Sequence, residues 1–170
     1  MTTDAGPSAN KAWRVRAAEA GDIKAIVELA RDLAATQGDP TDQVDPETLF
    51  REAAGPVPRL RLWVAELAGE PIGYASALPA YESSYAARGL YVADLYVAAQ
   101  YRRQGVARAL IATIAAFARS EGASFLWWAS KPHNSEAHAF YRTLGATHEP
   151  VIAHALTFDA FAALADQSVD

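Results

Sequence analysis

An amphipathic helix that directly follows a strand constrains the fold more than any other feature of the sequence. Residues 90–97 (LYVADLYV) are typical of a strand, and residues 105–120 have a strong helical period. The main apolar stripe of that helix is formed by Val106, Leu110, Ile114 and Phe117. Because such a stripe has to be buried against another element, we expect a sheet covered by helices.

Shorter patterns of the same two kinds fill the rest of the chain. We predict further strands over residues 13–17, 60–67, 71–78, 125–130 and 151–157. We predict further helices from 20–22 to about 38, over 46–54 with Asp45 as the cap, over 135–144 and over 159–165. Residues 79–88 are predicted to be a loop that holds Tyr81, Glu82 and Tyr85. This order indicates one α/β domain built on a mixed sheet.

Length and composition fit a single domain with a sizeable core. The chain has 170 residues, of which 51% are hydrophobic and 21% charged. Residues 1–11 are polar and small, so we expect a disordered tail there and a folded domain over 12–166. No apolar stretch of the sequence reaches the roughly 18 residues of a membrane span, and we expect a cytoplasmic protein.

Charge and cysteine content exclude several classes of function. The sequence has 15 basic and 20 acidic residues, a net charge of −5, which argues against nucleic-acid binding. It has no cysteine, so disulfides, thiolate zinc sites, iron–sulfur clusters and a cysteine nucleophile are excluded. The four histidines form no HExxH motif and no convincing ligand spacing, and we expect no metal.

Three arginines, Arg102, Arg103 and Arg108, crowd the turn between the strand at 90–97 and its helix. The first turn of a helix presents unpaired N–H groups that attract anions, and Gly105 lets a ligand approach the backbone. The turn therefore indicates a phosphate-containing ligand. A solvated basic loop is the alternative interpretation. The nucleotide-binding patterns GxxxxGK[ST] and GxGxxG are absent.

Two motifs resemble the GNAT superfamily of acyl-CoA-dependent N-acyltransferases. Arg102-x-x-Gly105-x-Ala107 resembles its pyrophosphate motif, (Arg/Gln)-x-x-Gly-x-(Gly/Ala). Residues 134–146 (NSEAHAFYRTLGA) resemble its N-x-x-A-x-x-F-Y-x-x-L-G-A signature, and the diamine (spermidine/spermine-type) acetyltransferase branch is the most similar. The resemblance implies a mostly antiparallel sheet flanked by helices. It also implies an N-acetyltransferase that moves an acetyl group from acetyl-CoA to a small-molecule primary amine, by direct attack in a ternary complex.

The resemblance also implies which residues hold acetyl-CoA. Pantetheine would pair with the strand backbone at Leu95, Tyr96 and Val97, and the N–H of Leu95 or Val97 would polarise the thioester carbonyl. One of the adjacent Trp127 and Trp128 would flank this cleft. The pyrophosphate would lie on the turn, whose residues are Arg102, Arg103, Gln104, Gly105, Val106, Ala107 and Arg108. The second motif adds Asn134, Ala137 and Tyr141, and a plain helix cap is the alternative role for Asn134.

Tyr141 matches the position of the family's general acid, which would protonate the departing thiolate. A core aromatic residue beside Phe140 is the alternative. No single base stands out in the sequence, and Asp94, Glu82 and His154 are the candidates. Asp94 and Glu82 are also the candidate substrate-binding residues, although structural or solvated roles are alternatives for each.

Two departures from the diamine branch concern the amine acceptor. The branch has an acidic residue where this sequence has Ala93, and a Tyr-Glu pair where it has Thr36-Gln37. Polyamine acetylation is therefore in question. The alternatives are a peptide or protein amine, an aminoglycoside or an amino acid. A non-catalytic acyl-CoA-binding regulatory module is the alternative to an enzyme, and a homodimer would be common for this superfamily.

Overall fold

The computed structural model describes residues 12–168, which form two compact units that divide after Lys131. The first unit contains one sheet in the order β1-β2-β3-β4-β5. Its strands are β1 (Trp13–Ala17), β2 (Arg61–Leu67), β3 (Glu70–Glu82), β4 (Ala87–Val97) and β5 (Phe125–Trp127). Strands β1 to β4 pair with one another antiparallel, and β5 pairs with β4 parallel, so the predicted mixed, mostly antiparallel sheet is confirmed. The predicted tail, 1–11, lies outside the described residues.

Three helices accompany this sheet: α1 (Ile23–Gln37), α2 (Pro46–Ala54) and α3 (Val106–Ser120). Helix α1 ends at Gly38, whose left-handed backbone (φ 72°) is the usual helix stop. Helix α2 begins as predicted, because Asp45 Oδ2 accepts a bond of 2.7 Å from the Thr48 N–H and Pro46 fills the first helical position. None of the helices within residues 12–168 is long and apolar enough to cross a membrane.

The helices cover both faces of the sheet. Ile26 and Val27 of α1 pack in a buried cluster on one face, together with Leu62, Val64, Tyr74 and Tyr96. Strand side chains alternate between faces, so Trp63 points the other way, where its ring contacts Phe117 of α3 at 5.4 Å. The stripe predicted for α3 is buried at Val106, Leu110 and Ile114.

Strands β3 and β4 are longer than the sequence indicated. The predicted loop over 79–88 is wrong at both ends, because the strands extend to Glu82 and from Ala87, with only 83–86 between them. Pro79 lies inside the β3–β4 ladder, opposite Leu90. Strand β2 pairs with β3 only as far as Ala77. Beyond Ala77, the edge of β3 that faces away from β4 pairs with no strand of the described chain. Proline is tolerated at such an edge because no partner needs its missing N–H.

The second unit contains α4 (Ser135–Thr143) and α5 (Phe158–Ala165). Asn134 caps α4, since its Oδ1 accepts a bond of 3.1 Å from the Ala137 N–H. The strand predicted over 151–157 is wrong, because these residues pair with no strand among those described and their side chains are exposed. An apolar, β-branched stretch has the propensity of a strand, but a strand is stable only beside a neighbour.

Candidate active site

Strands β4 and β5 stay paired for only three residues. The aligned positions are Gly89 with Phe125, Leu90 with Leu126, and Tyr91 with Trp127. The strand predicted over 125–130 therefore ends at Trp127. Beyond Tyr91, this edge of β4 pairs with no other strand of the described residues, so a gap opens beside the second half of β4. The rings of Tyr91 and Trp127, 5.3 Å apart, stand where the gap begins.

A one-residue bulge in β4 lies at the start of this gap. Ser76 of β3 is aligned with Asp94 and Ala77 with Val92, so Ala93 is the extra residue. A bulge bends a strand and increases its twist. This bend accounts for the divergence of β4 from β5 immediately beyond the aligned positions.

The backbone of Leu95 and Val97 faces the gap. The Ala98 N–H donates to the Ile72 carbonyl at 3.0 Å, which makes these two residues a hydrogen-bonded pair of the β3–β4 ladder. Bonded and non-bonded pairs alternate in an antiparallel ladder, so Tyr96 bonds to β3. Leu95 and Val97 direct their N–H and C=O groups to the opposite edge. Either N–H is thus oriented to polarise a carbonyl placed in the gap.

Arg102 holds the following turn against the end of β4. Its Nε donates to the Val97 carbonyl at 2.9 Å, and its guanidinium carbon lies 5.4 Å from the centre of the Tyr96 ring. The Tyr96 side chain is itself buried in the cluster beneath α1. Of the predicted cofactor residues, Arg102 and Tyr96 therefore shape the turn and the strand with their side chains.

The turn leaves the N-terminus of α3 open to a ligand. Arg103 (φ 61°) and Gly105 (φ 82°) both have left-handed backbone, and Gly105 is the N-cap residue without a side chain to cap α3. A Cβ built on Gly105 would meet nothing within 4 Å. The first N–H groups of α3, its helix dipole and the exposed Arg103 fit a pyrophosphate. Gln104 is exposed, and its Nε2 donates to the Gln100 carbonyl at 3.2 Å.

Asp94 follows the bulge, on the face of the sheet that α1 covers. Its Oδ2 accepts a bond of 2.6 Å from the Ser76 hydroxyl, and Ser76 itself is 0% exposed. Burial raises the pKa of Asp94, and the bond from Ser76 opposes this shift. Burial and, less strongly, the Asp94 charge raise the pKa of Tyr74 on the neighbouring strand. Asp94 therefore has the environment of a proton acceptor more than that of a surface carboxylate.

Glu82 lies far from the open edge of β4. It is aligned with Ala87, eight residues before Leu95, a separation of about 27 Å along a strand. Its Oε1 accepts bonds from the N–H (3.0 Å) and hydroxyl (2.9 Å) of Ser84, and these bonds lower the pKa of Glu82. The structure therefore brings Asp94 to the open edge of β4 but not Glu82.

The other predicted residues lie in the second unit. Tyr141 of α4 is half-buried, its ring centre lies 5.4 Å from that of Phe140, and burial raises its pKa. A phenol of this kind stays protonated at neutral pH. The Ala137 N–H donates the helix-capping bond to Asn134, so Asn134 does cap α4, the alternative role considered for it. His154 is exposed in the segment after Pro150.

Comparisons with known proteins show the family of this chain. The sequence matches the acetyltransferase (GNAT) family over residues 25–146. A thialysine N-ε-acetyltransferase of Bos taurus is 34% identical over 142 residues, which cover 78% of this chain and 82% of that protein. N-acetyltransferase 8 of Homo sapiens is 34% identical over 83 residues, which cover 49% of this chain and 37% of that protein.

Solved structures share the fold. An integron cassette protein from the mobile metagenome of V. cholerae has a TM-score of 0.76 at 15% identity, covering 93% of this chain and 100% of that one. An aminoglycoside acetyltransferase from an uncultured soil metagenomic sample has a TM-score of 0.72 at 19% identity, covering 88% and 97%. The fold and the family match together define an acyltransferase. The chain belongs to the acetyltransferase (GNAT) family, as its sequence motifs predicted.

Sequence reasoning missed two polar side chains, Ser76, which bonds to Asp94, and Lys131, which binds the C-terminal end of α1. Ser76 had a weak signal, because it is the one serine in the otherwise mostly apolar run GYASALPA. Lys131 had none, because its partner Asp39 is 92 residues away in the sequence.

Proposed function

We propose that the protein transfers an acetyl group from acetyl-CoA to a primary amine of a small molecule, by direct attack within a ternary complex. The observation that carries this proposal is the open edge of β4, where the N–H groups of Leu95 and Val97 face the gap beside the N-terminus of α3. The strand edge offers donors to a thioester carbonyl, and the helix end attracts a pyrophosphate. The match to the GNAT family supports acetyl-CoA as the donor substrate.

The proposed reaction assigns one proton acceptor and one proton donor. The neutral amine attacks the thioester carbonyl carbon, so a C–N bond forms and the C–S bond breaks. Asp94, directly or through a water, takes the proton that the amine loses, and its raised pKa favours this role. Tyr141 gives its phenolic proton to the departing CoA thiolate, as its match to the family signature suggests. The products are an N-acetylated amine and CoA, and exchange with water restores both side chains.

An amino compound with a single side-chain amine fits the acceptor better than a polyamine. The relative from Bos taurus is named for thialysine, and it supports this choice. The Thr36 hydroxyl donates to the Leu33 carbonyl at 2.7 Å, and the Gln37 carbonyl accepts a bond from Lys131. These two positions thus offer an ammonium group no negative charge, and neither does Ala93, the extra residue of the bulge.

An amine panel tests the proposal. Acetyl-CoA is supplied with thialysine, sisomicin, spermidine or a lysine-containing peptide, and both thiol release and the mass of the product are measured. We expect thialysine to gain one acetyl group per CoA released, with a kcat/KM at least tenfold above that of spermidine. Acetylation of the peptide alone would favour a protein substrate. Binding of acetyl-CoA without any acetylated product would favour the regulatory module.

A further inference from the structure

Lys131 joins the chain that leaves β5 to the C-terminal end of α1. Its Nζ donates to the Gln37 carbonyl at 2.8 Å and to Asp39 Oδ1 at 2.7 Å. Gln37 is the last residue of α1, where carbonyl groups have no partner further along the helix. An ammonium group at this end also complements the helix dipole. Lys131 therefore makes two favourable contacts with one helix end.

This contact joins the chain after β5 to the helix that covers the Asp94 face of the sheet. The chain is paired with β4 as far as Trp127, and four residues later it is held at α1. Helix α1 and the Asp94 carboxylate lie on the same face of the sheet, as the bond from Ser76 and the cluster around Tyr96 show. The N-terminus of α3, with its proposed pyrophosphate site, belongs to the helix on the opposite face. Because Asp94 lies on the α1 face and the proposed pyrophosphate site on the opposite face, the acceptor amine would approach Asp94 from the α1 face.

The connection between α1 and α2, residues 38–45, is held at both ends. Lys131 binds Asp39 at the start of the connection. Arg31 of α1 holds its other end, since Nη2 donates to the Val44 carbonyl at 3.3 Å. The contact of Lys131 with Asp39 ties this connection to the chain after β5. Its loss would free the start of residues 38–45, next to the helix that covers the Asp94 face of the sheet, while Arg31 still held Val44.

We propose that Lys131 is a positioning residue for the amine acceptor, and that it acts by fixing residues 38–45 through Asp39. This inference rests on the proposed function. The side chains of Lys131 and Asp39 are 37% and 47% exposed. A pair exposed to this extent contributes little to stability. Its replacement should therefore change acceptor binding without unfolding the protein.

Steady-state kinetics with thialysine test this role. For Lys131→Met and for Asp39→Asn we expect the KM for thialysine to rise about five- to tenfold, while the KM for acetyl-CoA changes less than twofold. The double variant should be no worse than either single variant, because both remove the same contact. Lys131→Arg should restore most of the affinity. Lys24→Met, an exposed lysine in the first turn of α1, is the matched control and should behave as wild type. An equal rise of both KM values, or additive losses, would overturn the proposal.

Hydrogen exchange separates this inference from the proposed function. Amides of residues 38–45 should exchange faster in Lys131→Met than in wild type or Lys24→Met, and this measurement needs no turnover. Unchanged exchange would overturn the tether even if the enzyme acetylates thialysine. Faster exchange in a protein that acetylates no amine would contradict the proposed function and the acceptor role while leaving the tether itself intact.

Discussion

The Ser76 hydroxyl donates a hydrogen bond of 2.6 Å to Asp94 across two neighbouring strands, at the bulge where β4 turns away from β5. The bond opposes the rise that burial causes in the pKa of Asp94. Ser76 therefore helps to keep the carboxylate ionised, which is the state in which it can accept a proton.

The Ser76–Asp94 pair predicts a change in the pH profile of the enzyme. In Ser76→Ala the pKa of Asp94 should rise further, because the bond that favours the charged form is lost. The acidic limb of kcat/KM for the amine should therefore move to higher pH, and Asp94→Asn should lower kcat about 10²-fold. Ser84→Ala, which removes a similar bond to Glu82 at the far end of β3, is the control. An unshifted acidic limb in Ser76→Ala would show that Asp94 is not the base.

Tyr141 predicts a kinetic effect with little structural change. Tyr141→Phe keeps the ring and removes only the phenolic proton. If that proton goes to the thiolate, kcat should fall roughly 10²-fold, the lower end for general acid catalysis because CoA thiolate is a fair leaving group. The KM for acetyl-CoA should change much less. Tyr81→Phe, at an exposed position of β3, should behave as wild type. Turnover of Tyr141→Phe within threefold of wild type across pH would disprove the acid role.

The ion pair between Arg16 and Asp22 predicts a pH-dependent contribution to stability. Arg16 Nη1 and Nη2 donate to the two Asp22 oxygens at 2.6 and 2.9 Å, and the Glu19 N–H adds a bond of 2.7 Å. Asp22→Asn should lower the free energy of unfolding by about 1.5–3 kcal/mol, the usual range for hydrogen bonds to a charged group. Asp32→Asn, an exposed carboxylate of α1, should have little effect.

The bonds from Arg16 lower the pKa of Asp22, which fixes the sign of the pH dependence. The folded state holds the carboxylate ionised at a lower pH than the unfolded chain does, so the contribution is complete above about pH 4. It is lost as the pH falls through the folded pKa. Urea unfolding of wild type and Asp22→Asn from pH 7 to pH 2.5 should show the difference shrinking only below about pH 4. A constant difference over this range would refute the account.

Local patterns were sufficient to predict most of the fold. The Asp45 cap and the apolar stripe of α3 each depend on residues that are close together in the sequence, so helices α2 and α3 were placed correctly. The open edge of β4 was expected only through the family resemblance, because the bulge at Ala93 depends on the alignment with β3. The strand predicted over 151–157 was wrong because its residues have strand propensity, but propensity alone does not supply a neighbouring strand.

Contacts that form only in the folded chain account for what the sequence could not predict in the site. Arg102 was expected as a phosphate ligand, and the bond from its Nε to the Val97 carbonyl was not expected. Glu82 was expected near the substrate from its type alone, and the length of β3 carries it away from the gap. Lys131 is recognisable only once α1 and the chain after β5 are both in place.

The most direct test of the central claim is the binding of acetyl-CoA at the N-terminus of α3, measured by calorimetry for wild type, Gly105→Glu and Gly122→Glu. Both glycines have left-handed backbone, so both variants carry a similar backbone strain and the same added charge, and a Cβ at Gly122 would also approach the end of the Arg88 side chain at 3.0 Å. Gly122 follows the other end of α3, about 22 Å away. We predict that Gly105→Glu abolishes measurable binding by occupying and charging the pyrophosphate site, whereas Gly122→Glu binds within threefold of wild type. Equal affinity in both variants would contradict the account.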